Sequence, residues 1–460
     1  MSTSALKIEP MRTRKTEIWV VAAGIALLAP ALLMVCGTHV LLGGVWFAGA
    51  AAIVLLVNPR WAFILLIPAV GWYHPMAAGP VQVQLSDALT LLAAFGAVLE
   101  WLWRVRTRVV VTPFDVPFLA LMLATWWSIP FAYSYAMTVT PALRIIFIYI
   151  AYRLVLTYSV QIGLGRVVRY YVVVVALLSV RNIVEFIIIG GSQRIFGLSW
   201  LTFESLSMTA LPMAAAFMIY AGSWKRGVAW AGVCLVIGAA IIASGSRGTM
   251  LAVALGVPVL VWASARGRGS IRSGSILKIV TPLALLIGVT VLLRDSLLAY
   301  PVERIEQMFE SVSGAQGSIA LRLVLWTAAI KAFAAHPLTG IGIGNFRVVD
   351  LALPTQHMGS VWYYIRGMSA HNSFLHYLAE TGVPGAVALA FLCWRGVRIA
   401  VGLQRKLTPS GTGTAIFMGM AVFSVSIFFM RAWTWGQDSY VMALVIGLNA
   451  AWWRQHQSSA

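Results

Sequence analysis

Apolar runs of about twenty residues, the length needed to cross about 30 Å of hydrocarbon, recur from one end of this chain to the other. Inside a bilayer the backbone must satisfy its own hydrogen bonds, so such runs can only become helices or a closed barrel. A barrel requires roughly ten-residue strands of alternating polarity, and a run such as "GIALLAPALLMVC" does not alternate. Composition agrees, since only 10% of the residues are charged against about a quarter in soluble domains. The expected fold class is therefore an all-α integral membrane protein, a polytopic helical bundle of about 12–14 transmembrane helices. The candidate segments lie near 17–36, 40–57, 61–73, 87–103, 114–132, 142–158, 167–189, 207–222, 228–244, 248–264, 276–293, 376–393, 413–430 and 439–453. The short ones, 61–73 and the stretch after 207, are candidates for broken or re-entrant helices.

The formal charge of +19 would point to nucleic acid on a soluble chain. Here it reads as a topology signal, and no nucleic acid is expected. Lysines and arginines gather in alternate loops, as "MRTRK", "RVRTR" and "LQRK" show, which places those loops and both termini in the cytoplasm. The opposite loops hold most of the acids outside spans, among them Glu204, Asp295, Glu303 and Asp350. The N-terminus resembles a signal sequence, but its apolar run is longer than an ordinary h-region and reads as a retained first helix. The three cysteines, Cys36, Cys234 and Cys393, lie in apolar segments and make neither a metal spacing nor a disulfide framework.

One outward connection, residues 294–375, is far longer than the rest, and loops of that length usually carry a function. The chain thus divides into an N-terminal transmembrane bundle (1–293), a large periplasmic loop (294–375) and C-terminal transmembrane helices (376–460), within one structural domain. The loop segment "SIALRLVLWTAAIKAFAAHP" has apolar residues at helical spacing and reads as an amphipathic helix on the membrane surface, ending at Pro337. The "GIGIG" that follows is a tight loop. No strand precedes it, so it is not a dinucleotide fingerprint.

Charged groups on the outward side carry the chemistry. Arg194, Arg247 and Arg322 stand where acids are scarce. An arginine there either snorkels to headgroups or meets an anion, and its planar fork matches phosphate oxygens bidentately. His371, followed by Asn372 and later Glu380, opens the helix after the long loop. A histidine can take a proton near neutral pH and serve as a general base. The plainer alternative is an interfacial histidine, with "HNS" capping the helix. The other histidines, His336 and His376 included, show no comparable company in the sequence. Arg181 and Glu185, four residues apart within one span, read as an internal ion pair, with a proton or ion relay as the alternative. No acidic or His–Glu cluster has metal-ligand spacing and there is no Walker loop, so neither a metal nor another cofactor is expected.

Three stretches together resemble the O-antigen ligase and polymerase superfamily: "SGSRGTMLA" (244–252), "IALRLVLWTAAIKAFAAHPLTGIGIGNF" (319–346) and "AHNSFLHYLAETGVPGAV" (370–387). "QRIFGL" (193–198) and the segments around Asp87 and Asp115 are similar as well. The resemblance implies transfer of a glycan from undecaprenyl pyrophosphate to an acceptor sugar at the periplasmic face of the inner membrane. It implies essential roles for Arg247, Arg322 and His371, and a donor-binding role for Arg194. In ligase members the acceptor is lipid A–core; in polymerase members it is another lipid-linked repeat unit. One departure from the family is "SWLTFES", which stands where an asparagine often follows the Arg-x-x-Gly stretch. The expected partners are the lipid-linked donor, the lipid A–core acceptor and membrane lipid, with Asn372 and Glu380 added to the substrate-binding set. A rival from another class is a transporter or flippase of a lipid-linked glycan. Its paired internal repeats are not visible in this sequence.

Overall fold

The computed structural model of the protein describes residues 49, 51–71, 76–78, 81–104, 110–190, 200–266, 288, 318–349, 367–428 and 438–457, and the apolar runs among them are helices. The expected spans 17–36 and, apart from Gly288, 276–293 lie outside the described residues, as do Arg194, Cys36 and much of the long outward connection. In chain order the helices are α1 (Ala51–Val57), α2 (Pro59–Val70), α3 (Leu85–Arg104), α4 (Asp115–Trp127), α5 (Tyr135–Ile162), α6 (Leu164–Ile188), α7 (Trp200–Ile219), α8 (Trp224–Ala243), α9 (Arg247–Arg266), α10 (Ser318–Ala335), α11 (Ser373–Lys406), α12 (Gly411–Ser426) and α13 (Asp438–Gln457). A two-stranded antiparallel hairpin, β1 (Met76–Ala78) with β2 (Val81–Val83), pairs Met76 with Val83 and is too short to alter the all-α class.

Among the described residues, six helices are long and apolar enough to cross a membrane, or seven if α1 and α2, bent by 117°, form one broken span. That bend falls beside the segment expected to be broken. Three shorter apolar helices accompany them. The outward faces are oily: Ile188, Leu177, Leu123 and Val116 are all exposed, as befits a surface solvated by lipid tails. The protein is thus a multi-pass membrane protein. Helix ends run past the apolar windows because polar residues continue the helix beyond hydrocarbon. The run expected at 376–393 becomes a 34-residue helix from Ser373 to Lys406, kinked at Gly382.

Contacts group the described chain into two units, one within Met1–Leu65 and Leu89–Arg108, the other within Leu66–Ala88 and Val109–Ala460. In the second unit α7 packs on α8, α9 and α12, α13 on α5, and α11 on α4, α10 and α12. Small residues let these helices approach, since van der Waals fit replaces the hydrophobic effect between helices in lipid. Gly447 lies against Val155, and Gly396 against Met420. Buried charges are held in pairs. Arg144 Nη2 lies 3.2 Å from Asp87 Oδ2, and Tyr440 donates to Asp87 Oδ1 at 2.6 Å, which ties α13 to the start of α3 and to α5. Asp115 likewise holds Arg153 at 3.0 Å.

Candidate active site

Arg247 owes its place to a Ser-Gly-Ser turn. The α8 helix ends at Ala243, Gly245 has a φ of 61°, and Ser246 turns its hydroxyl back to Thr249 Oγ1 at 2.9 Å. Arg247 is then the first residue of α9. A cationic residue at the positive end of a helix dipole is placed where an anion is favoured.

The loop segment holding Arg322 is the expected helix, α10, which stops at Ala335 before His336 and Pro337. Its buried stripe of Leu325, Ala328, Ala329 and Ala332 packs with Ile341, Phe346, Ala370 and Ala379 in one apolar cluster. Arg322 is half-buried. Burial lowers the pKa of its guanidinium from the ordinary value, and the Glu204 carboxylate on α7 works against that shift. Glu204 is itself buried. Sequence reading recorded it only as an outward acid, and nothing in the spacing ties it to a residue 118 positions away.

The glycine-rich stretch after α10 is the tight loop expected of it, and its role is packing. Gly340 (φ 65°) and Gly342 (φ 92°) adopt left-handed backbone conformations. A Cβ at either would overlap main-chain atoms, of Glu380 and Thr381 at the first and of Ala132 at the second. Ile341 N and Gly342 N donate to the carbonyls of Ala379 and Glu380 at 3.0 Å each. On the other side Ile343 N donates to Ser128 Oγ at 3.0 Å, and Asn345 Nδ2 to Thr138 Oγ1 at 2.8 Å. The loop therefore fastens α11 to the connection between α4 and α5. His336, expected to be a helix-end residue, sits there with Nε2 2.9 Å from Tyr133 Oη.

His371 is the only non-glycine among the described residues with a positive φ, 48°. Such a conformation costs a residue other than glycine about 1–2 kcal/mol, so the surroundings must impose it. They do so from both sides. Before it, Trp326 Nε1 donates to the carbonyl of Ala370 at 3.0 Å, and Ala370 N donates to His376 Nδ1 at 3.3 Å. After it, Asn372 is the N-cap of α11, its Oδ1 accepting from Leu375 N at 3.0 Å, while Ser373 N donates to Ile427 O at 2.7 Å. The capping alternative read from "HNS" thus describes Asn372, whereas His371 stands just outside the helix and is half-buried.

The reading that His376 lacks company is corrected. It is wholly buried, and its Nε2 lies 3.1 Å from Oε1 of Glu380, also wholly buried. Phe346 N donates to the same carboxylate oxygen at 2.9 Å. A 3.6-residue repeat puts positions 376 and 380 on one helix face. That i,i+4 spacing is the signal in the sequence that marks the pair. Arg181 and Glu185 do form the expected ion pair at 3.2 Å, more exposed than an internal pair would be.

Helix directions bring the distant parts to one level. Gly411 of α12 lies on Phe217 of α7 and Gly419 on Met213, so the two helices are antiparallel. Gly256 of α9 lies on Val422 and Trp262 lies against Phe417, so α9 also runs antiparallel to α12 and its first turn lies toward the C-terminal end of α12. The end of α12 therefore meets the starts of α7 and α9, where Glu204 and Arg247 stand. Ile427, just past that end, holds the start of α11 through Ser373, and Trp326 holds α10 to Ala370. Arg247, Arg322 and His371 come to the same end of the bundle by these separate contacts. Arg194 lies outside the described residues, and Glu380 is enclosed beneath this end with Asn372 capping above it.

Fold and site together define a multi-pass helical membrane protein with arginines and a histidine gathered at one end of its bundle. Residues 230–390, about a third of the chain, match the O-antigen ligase family. The resemblance to the O-antigen ligase and polymerase superfamily is thereby shown over the stretch that holds Arg247, Arg322 and His371, and it points to an enzyme of that general kind. No curated protein matches the chain.

Proposed function

We propose that the protein is an O-antigen ligase, transferring a glycan from undecaprenyl pyrophosphate to a sugar hydroxyl of lipid A–core at the periplasmic face of the bacterial inner membrane. The observation that carries this reading is that the starts of α9 and α11, which bear Arg247 and His371, and α10, which bears Arg322, lie toward one end of the bundle, inside the stretch that matches the family. Both termini are cytoplasmic in this reading, and the loop 294–375 supplies Arg322 and leads to His371. Arg194 joins the two arginines in holding the donor.

The chemistry follows from the residue types. The acceptor oxygen attacks the anomeric carbon while the bond from that carbon to the diphosphate oxygen breaks, and the electron pair leaves with the diphosphate. Arg247 and Arg322 neutralise the charge that grows there, which is where fixed positive groups lower a barrier most. His371 takes the acceptor hydroxyl proton. A single displacement inverts the anomeric centre, and the diphosphate leaving group supplies the driving force. Guanidinium groups rather than a metal ion carry the positive charge.

Purified protein given the lipid-linked glycan and lipid A–core should form one conjugate product, and His371→Ala should lower the rate at least a hundredfold, within the about 10²–10⁴-fold range of a general base. Undiminished transfer by the variant would remove His371 as the base. Donor supplied alone should remain unchanged; a ladder of lengthened chains would make the protein a polymerase of repeat units instead.

A further inference from the structure

We propose that Trp326, His376 and Glu380 are positioning residues for His371, acting together on the peptide that precedes it. The inference rests on the proposed role of His371 as the base. Ala370 is gripped at both of its polar atoms, the carbonyl by Trp326 Nε1 at 3.0 Å and the N–H by His376 Nδ1 at 3.3 Å. An Nδ1 that accepts carries no proton, and Nε2 on the other side of the ring lies 3.1 Å from Glu380 Oε1. Glu380 is held in turn by Phe346 N at 2.9 Å. The chain of contacts runs from the glycine-rich loop through Glu380 and His376 to Ala370, and ends on the one described non-glycine residue with a left-handed backbone.

Each link has a direction. Glu380 lies on the Nε2 side of the ring, while the Nδ1 lone pair faces Ala370 N. Trp326 stands one turn beyond Arg322 on α10, so its indole also sets the helix of a phosphate-binding arginine against the backbone of the base. A small rotation of the Ala370–His371 peptide would swing the imidazole away from the acceptor hydroxyl while leaving the donor's phosphates bound. The signature is therefore a loss in turnover without a loss in donor affinity.

The test uses full-length protein in detergent or proteoliposomes with the lipid-linked glycan and lipid A–core. Trp326→Phe keeps the ring and removes only the N–H, and His376→Phe keeps the bulk and removes the Nδ1 acceptor. Each should lower kcat about tenfold, the scale of a modest misplacement of a reacting group, with KM for the donor unchanged. Glu380→Leu, which takes the accepting oxygens away from His376 and Phe346 N, should lower kcat by a similar factor, again with KM for the donor unchanged. Monodispersity and melting temperature establish that each variant is folded, and the conservative Trp326→Phe carries the test if His376→Phe does not fold. Wild-type kcat in folded Trp326→Phe, with His371→Ala inactive, would overturn the positioning role and leave the base in place. An equal rise in KM would overturn it too, marking a contact with the donor. An active His371→Ala would remove the base and this inference with it.

Discussion

At the scale of single residues, the site is built from groups placed where their surroundings resist them. His371 holds a backbone conformation that its side chain disfavours, and Arg322 is partly withdrawn from water beside one buried carboxylate. An arginine held this way keeps donors in a fixed plane for an anion that arrives later. Lysine would keep the charge and lose the fork. Arg322→Lys is therefore expected to give up about 1.5–3 kcal/mol of charge-assisted hydrogen bonding, or roughly ten- to a hundredfold in kcat/KM for the lipid-linked donor. Steady-state kinetics at varied donor concentration measure this, and wild-type kcat/KM in the lysine variant would show that Arg322 contributes charge alone. Arginines and a histidine stand out in apolar sequence, which is why these residues are legible as candidates. Glu204 and the His376–Glu380 pair are not, since an acid or a histidine taken singly says nothing of what it faces.

At the scale of elements, the loop after α10 joins parts of the chain that lie far apart in sequence. Its glycines were legible as a tight turn, while the reason for them was not, because Ser128 and Thr138 are more than 200 residues away from their partners. The spacing is explained by close approach to backbone on two sides. Gly342→Ala is expected to cost about 1–2 kcal/mol from the positive φ alone, with further loss from overlap with Ala132. The thermal midpoint of the purified protein should fall accordingly, and an unchanged midpoint would contradict the fastening role given to this loop. The helices themselves were readable at their centres and less so at their ends. Hydropathy marks where lipid stops, whereas α11 continues through Arg395, Arg398, Arg405 and Lys406 because nothing breaks its hydrogen bonding there.

At the scale of the whole molecule, the described helices present apolar side chains to their surroundings and keep buried charges in pairs. Buried pairs such as Asp87–Arg144, held by Tyr440, fix helices that have no hydrophobic reason to prefer one neighbour over another. The all-α class and the centres of the described helices followed from the apolar runs. Which helix ends come together did not, because helix pairing in lipid is decided by small residues and single hydrogen bonds scattered over the chain. The central claim is that Arg247, Arg322 and His371 serve one lipid diphosphate. It is tested most directly by determining the structure of the purified protein bound to an undecaprenyl-pyrophosphate glycan. Phosphate oxygens within about 3 Å of both guanidinium groups, with the anomeric carbon on the side of His371, are predicted. A diphosphate bound at the other end of the bundle, or held by neither arginine, would contradict the account.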